Sequence, residues 1–246
     1  MAEPFKLVAI HQPNFFPWLG YFDKINRADY FILLDDVSYP KSSKSMGSWC
    51  NRVKVNIQGQ PAWVSCAVKR ESGIQIIRNV AIDDGTPWRS KLLRTLYMNY
   101  CKSPHYQDAF DFLESLIQFD TDNLCTFNAH AIQSICTLFG IKTKFLMQSE
   151  LQTSSASTAL LVDLVKKVNG NGYLCGGGAG GYQEDQLFVE AGIKLVYQEF
   201  KPQPYKQFLE SGDFLPGLSI IDYLLCCGLS TPFDSKNQSE SQYCLI

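Results

Sequence analysis

Between Val8 and Val37 the chain passes through apolar and polar blocks in an order that reads strand, loop, helix, strand. Val8-Ala9-Ile10 is apolar and His11-Gln12-Pro13-Asn14 is polar. An aromatic segment runs from Phe15 to Phe22, Asp23 to Asp29 is polar, and Tyr30 to Leu34 is apolar again before Asp35 and Asp36. Two short apolar runs joined by a connection long enough for one helix predict a βαβ unit. In open parallel sheets the carboxyl ends of the strands face the ligand crevice. His11 and the Asp35–Asp36 pair are therefore expected to emerge at one crevice. The aromatic set Phe15, Phe16, Trp18, Tyr21 and Phe22 is expected to pack the first helix.

Farther along, Arg52 to Ile57 alternates, Gln58-Gly59-Gln60-Pro61 reads as a turn, and Ala62 to Val68 is a second strand candidate. Ile76 to Ile82 is a third short run. Helices are expected from Trp88 to Tyr100, from Asp108 to Gln118 and from Asn123 to Phe139, the last closed by Gly140. Lys144–Met147, Tyr173–Cys175 and Lys194–Phe200 read as strands, with helices over Leu160–Val168 and Ser219–Cys227. The pattern is α/β: a mostly parallel sheet flanked by helices, with a small β-rich insertion and a helical middle. It is expected to form a single α/β domain over 1–229, with the insertion near 50–82 and a polar C-terminal tail over 230–246. If the two ends of the chain share one sheet, His11, the aspartates and the glycine-rich run Gly176–Gly181 surround one crevice.

With 46% hydrophobic residues in a chain of 246, a sizeable core is available. The 22 basic and 24 acidic residues nearly cancel, so no broad nucleic-acid footprint is expected. No apolar run reaches the roughly 18 residues needed to cross a bilayer. The first ten residues lack the basic region and apolar core of a secretion signal. A soluble, cytoplasmic protein is expected. Nine scattered cysteines without a C-x-x-C pair and only three histidines predict free thiols and no metal site.

The candidate chemistry centres on His11, held in a loop by Pro13 and Pro17. A histidine titrating near neutrality can deprotonate an attacking amine or protonate a leaving group. The rival reading is a structural histidine donating one ring hydrogen to a backbone carbonyl. Asp35 and Asp36 point to opposite sides if both continue the strand. One is expected to orient His11 or grip an amino group, and the other to cap the following turn. The expected catalytic set is therefore His11, Asp35 and Asp36. For substrate binding the expected residues are Gln12, Asn14, Trp18, Asn51, Arg52, Gly177 and Gly178. Arg52 suits a phosphate or carboxylate held bidentately, against the alternative of a solvated arginine at a strand start. Lys41, Lys44 and Ser45 are weaker candidates. The glycine run would let backbone N–H groups approach an anion, or form a tight loop. Cys175 would act as a nucleophile only with a lowered pKa and a nearby base. Trp18 is a candidate sugar-facing ring, and His105 and His130 read as surface residues.

The chain resembles the WbqC-like family of bacterial proteins. The resemblance rests on Ile10 to Phe22, on Ala28-Asp29 through Leu34-Asp35-Asp36-Val37, and on Asn51-Arg52, Tyr173-Leu174, Gly192-Ile193, Pro204-Tyr205 and Leu218 to Leu225. It implies a setting in surface-polysaccharide and aminosugar synthesis. The implied function is modification of an aminosugar, nucleotide-linked, by acyl or aminoacyl transfer to its amine. The implied partners are a small-molecule amine or nucleotide-linked sugar and an acyl-carrier protein, with an acyl thioester as candidate donor. The alternatives are a non-catalytic glycan or nucleotide-sugar binding protein and a structural partner in a polysaccharide-synthesis complex.

Overall fold

The computed structural model describes residues 4–40, 48–176, 184–207 and 214–233. In chain order the elements are β1 (Leu7–His11), α1 (Leu19–Arg27), β2 (Tyr30–Leu33), β3 (Arg52–Ile57), β4 (Gln60–Ser65), α2 (Trp88–Tyr100), α3 (Tyr106–Ile117), α4 (Leu124–Leu138), β5 (Lys144–Met147), α5 (Ser157–Lys167), β6 (Gly172–Cys175), α6 (Asp185–Glu190), β7 (Lys194–Tyr197) and α7 (Ile220–Cys227). The fold is α/β, as its alternating pattern predicts.

Five strands form one parallel sheet in the order β5-β2-β1-β6-β7. A parallel sheet must be covered on both faces because its crossover helices lie there. Successive strand residues divide accordingly. Leu7, Ala9, Phe31, Leu33, Leu174 and Val196 join one core with α1, α2, α3, α4 and α7. Val8, Ile10, Ile32, Tyr173 and Leu195 join a second core with α5 and α6. From β1 the chain proceeds outward through β2 to β5, then crosses to the other side of β1 for β6 and β7. The strand order therefore reverses between β1 and β6, and a crevice opens where such neighbours part at their carboxyl ends.

The hairpin β3–β4 forms its own antiparallel sheet rather than joining the main one. Its turn is only Gln58-Gly59, both with positive φ (52° and 80°), as a two-residue turn of matching twist requires. On α4, Asn123 Oδ1 accepts from the Thr126 N–H at 2.9 Å, and Gly140 follows at φ 70°. No helix among the described residues is long and apolar enough to cross a membrane.

Three local expectations change. The first helix starts at Leu19 and occupies most of the segment that reads as a polar connection. Phe15 and Phe16 lie in the preceding loop, packed with Trp88 and Phe127. That loop is held from outside its own sequence, by Ile220 N–H on Pro17 O at 2.9 Å and Ser219 Oγ on Phe16 O at 2.6 Å. Ile76–Ile82 forms isolated bridges around a 3₁₀ turn, Ile77–Asn79, instead of a strand. Its buried Ile77 and Val80 stand three apart, a spacing that suits a turn rather than a pleat. Finally, α6 follows a stretch whose local pattern does not announce a helix. The expected tail beyond residue 233 lies outside the described residues.

Candidate functional site

At the carboxyl end of β1 the parallel ladder to β6 stops, and a cavity of about 640 Å³ opens. Ile10, His11 and Gln12 of β1 and its loop, Tyr173 and Gly176 of β6 and its loop, and Leu34 and Val37 beyond β2 form part of its wall. Lys24 of α1 and Ser157, Thr158, Leu160 and Leu161 of α5 also line it. Its size suits a small organic ligand. Its lining mixes aliphatic side chains with polar ones.

His11 Nδ1 lies 3.1 Å from Gln12 O. A carbonyl oxygen only accepts, so Nδ1 carries the ring hydrogen and Nε2 keeps the lone pair. Tyr21 fixes the ring further, edge-on at 4.9 Å, while its own hydroxyl donates to the same Gln12 carbonyl at 2.9 Å. Burial, followed by the Lys24 charge, lowers the His11 pKa to about 4. The imidazole is neutral at physiological pH. The ring hydrogen thus goes to a backbone carbonyl, as in the structural reading of this histidine, and the same ring still lines the cavity.

Lys24 is a site residue that sequence reasoning missed. It is 4% exposed, and its Nζ donates to Ile10 O at 3.0 Å. The His11 carbonyl accepts from Leu34 of the neighbour on one side, so strand alternation turns the Ile10 carbonyl toward β6. Lys24 occupies the point where β6 has stopped pairing. Burial lowers its pKa to about 8, with Cys175 acting in the opposite sense. A signal for it existed: Lys24 stands four residues after Gly20 and three after Tyr21, both on the buried face of the helix. The contribution of α5 was also missed. Ser157 sits at φ 54°, a left-handed conformation that costs a non-glycine residue roughly 1–2 kcal/mol. Thr158 is buried, and its hydroxyl accepts from Glu184 N–H at 3.2 Å.

Of the expected site residues, His11 and Gln12 meet in this cavity; Asp35 and Asp36 are not on its wall. Asp35 is 3% exposed and accepts from Ser149 N–H at 2.9 Å and Ser149 Oγ at 2.6 Å. Asp36 pairs with Arg78 Nε at 2.9 Å. Both carboxylates lie past the end of β2 at Leu33, so strand alternation does not set their directions; their separate partners fix the loop that carries Leu34 and Val37 to the cavity. Buried Asn14 faces Cys50 Sγ at 3.9 Å. The Trp18 ring packs edge-on against Phe200 at 5.5 Å. Asn51 accepts from Ser48 N–H and donates to Cys66 O, closing a turn. Arg52 lies over the Trp63 ring at 4.2 Å. None of these four lines the cavity. Cys175 is fully buried, with Sγ donating to Val196 O at 3.3 Å. His130 stacks on Phe119, 3.8 Å between ring centroids. Gly177, Gly178, Lys41, Lys44 and Ser45 lie outside the described residues, though Gly176, just before the glycine pair, reaches the wall. Among the described residues no group of three or more His, Cys, Asp or Glu is arranged to hold a metal ion.

Comparison with known proteins gives a family match and a similar curated protein. The model of the WbqC-like protein family matches residues 12–232. The uncharacterized protein Rv1507c of Mycobacterium tuberculosis is 30% identical over 230 residues, covering 92% of this chain and 96% of that protein. No solved structure gives a significant match.

Proposed function

We propose that this chain, which belongs to the WbqC-like family, modifies an amine-bearing sugar, nucleotide-linked, by acyl or aminoacyl transfer. The observation carrying the proposal is a neutral imidazole whose Nε2 has no hydrogen-bond partner among the described residues, on the wall of a cavity of about 640 Å³ where the strand order reverses. In this reading His11 Nε2 removes a proton from the sugar amine as its nitrogen attacks the acyl carbonyl. A C–N bond forms, the bond from acyl carbon to thioester sulfur breaks, and the proton passes from His11 to the departing thiolate. Gln12 contacts the sugar, and the aliphatic wall of Ile10, Leu34 and Leu161 receives the acyl chain. Asp35 and Asp36 serve as positioning residues through the loop they hold. An acyl-carrier protein is the proposed source of the thioester, and the cytoplasm the proposed location.

A second reading is supported by the low basicity of His11 in the ligand-free protein: a non-catalytic binder of the same nucleotide-linked sugar. Incubation with nucleotide-linked aminosugars and an acyl thioester, followed by mass spectrometry, separates the two. Transfer predicts a sugar heavier by the acyl group, with the rate falling roughly 10²–10⁴-fold in His11→Ala, the usual scale for losing a general base. A bound but chemically unchanged sugar would establish the binder.

A further inference from the structure

We infer that Lys24 and the first turn of α5 form a receptor for a substrate anion, a phosphate or carboxylate group, seated where β1 and β6 part. The inference deepens the proposed function, because it rests on the same cavity.

Lys24 is buried, and among the described residues no carboxylate opposes it. Among the described residues its hydrogen-bond partner is Ile10 O alone, which uses one of three ammonium hydrogens. The groups facing it are the His11 ring from β1 and, from β6, Cys175 and the Tyr173 ring, whose centroid is 5.9 Å from Nζ. Asp23, beside it on α1, accepts instead from Gln198 at 2.7 Å and pairs with Arg27. Isolating a charge in a protein interior is costly unless something compensates it. Among the described residues no Asp or Glu lines the cavity to do so.

The opposite wall adds to the positive pole. The N-cap position of α5 is Ala156, which supplies no side-chain acceptor to the N–H groups of the first turn. The eleven-residue α5 directs its positive end there. Thr158 Oγ accepts from Glu184 N–H and retains its own proton for donation. An ammonium, N–H groups that no side chain caps among the described residues, and a hydroxyl donor facing one space match an oxyanion with several acceptor oxygens. The apolar remainder of the wall suits the body of the ligand.

Occupancy changes the neighbouring base. The Lys24 charge is one of the two influences that hold His11 low. A bound anion cancels it, so His11 gains basicity only when substrate is in place. The lysine thus supplies binding and the anion it binds completes the base.

The test is an NMR titration of the full chain with inorganic phosphate and, separately, acetate at constant ionic strength. It follows the His11 ring resonance, assigned by its absence in His11→Gln, and the backbone amides of Ser157 and Thr158. Saturating anion is expected to raise the His11 titration midpoint by one unit or more and to shift both amides. Lys24→Met is expected to weaken binding at least tenfold and to remove the His11 response; Thr158→Val weakens binding severalfold. A response to phosphate alone assigns a phosphoryl group, and a response to acetate alone a carboxylate. If neither anion moves His11 or the α5 amides of the unsubstituted protein, or Lys24→Met binds equally well, the receptor is refuted. Anion binding without acyl transfer would overturn the enzymatic reading and leave the receptor intact.

Discussion

Replacing Lys24 by Met removes a buried ammonium that no carboxylate among the described residues offsets. The Lys24 pKa falls from 10.5 to about 8 on folding, chiefly through burial. At 1.36 kcal/mol per pKa unit, that is about 3 kcal/mol of destabilisation at pH 7. Met keeps the apolar stem and removes the cost, but it leaves the Ile10 carbonyl without its donor, a loss of about 1–3 kcal/mol. The net change at pH 7 is therefore between zero and a gain of about 2 kcal/mol. The pH dependence is sharper than the net value. Between pH 8 and 10.5 the unfolded chain still holds the Lys24 proton and the folded chain has lost it, so folded stability rises with pH in that interval. Relative to Lys24→Met, the unsubstituted protein should gain about 3 kcal/mol across the interval, with a flat difference below pH 7. Urea unfolding of both proteins at half-unit steps from pH 6.5 to 10.5 measures this. A stability difference that stays constant over the whole range would show that Lys24 titrates normally, and the argument for an uncompensated buried charge would fail.

Other outcomes follow from the same contacts. His11 follows the same sign in an acid window: its pKa is about 4 folded and 6.5 unfolded, so its contribution is complete above pH 6.5 and disappears as pH falls through 4. Acid unfolding of His11→Gln should lack up to about 3 kcal/mol of the loss seen in the unsubstituted protein. Asp35→Ala leaves the Ser149 N–H and hydroxyl without their acceptor; about 2–3 kcal/mol of stability should be lost, with weaker ligand binding at the Leu34–Val37 rim, read by urea unfolding and calorimetry. Asn128 Nδ2 joins Pro13 O and Cys50 O at 2.9 and 2.7 Å. Asn128→Leu should cost about 2–4 kcal/mol and lower turnover through the loop that carries His11. Asp222 receives hydrogen bonds from Tyr100, Tyr205 and Gln207 in the core between α2 and α7. Asp222→Ala should destabilise by about 3 kcal/mol, seen as a lowered unfolding midpoint, without altering the affinity of the cavity for phosphate.

What the sequence makes visible is what depends on neighbours in the chain. The βαβ start is plain because Val8–Ile10 and Tyr30–Leu34 are apolar runs, and the two ends of α4 are plain because Asn123 precedes it and Gly140 follows it as local caps. His11 stands out because a polar loop follows a buried strand. Lys24 does not, because a reading of composition assigns Asp23–Asp29 to a polar connection; only the helical spacing from Gly20 and Tyr21 turns it inward. The partner of Asp35 is likewise hidden, since Ser149 is 114 positions away and meets it only through the pairing of β2 with β5. Adjacent carboxylates suggest catalysis by residue type, yet here their hydrogen bonds hold a loop. The role of α5 emerges only after the chain has crossed the sheet, when its first turn faces the β1–β6 split.

The most direct test is a crystal structure of the chain with a nucleotide-linked aminosugar bound. The account predicts the ligand between the carboxyl ends of β1 and β6, its sugar nitrogen about 2.6–3.2 Å from His11 Nε2 and an anionic oxygen on Lys24 Nζ. A ligand seated elsewhere, with the His11 ring untouched and Lys24 bound only to Ile10 O, would contradict it.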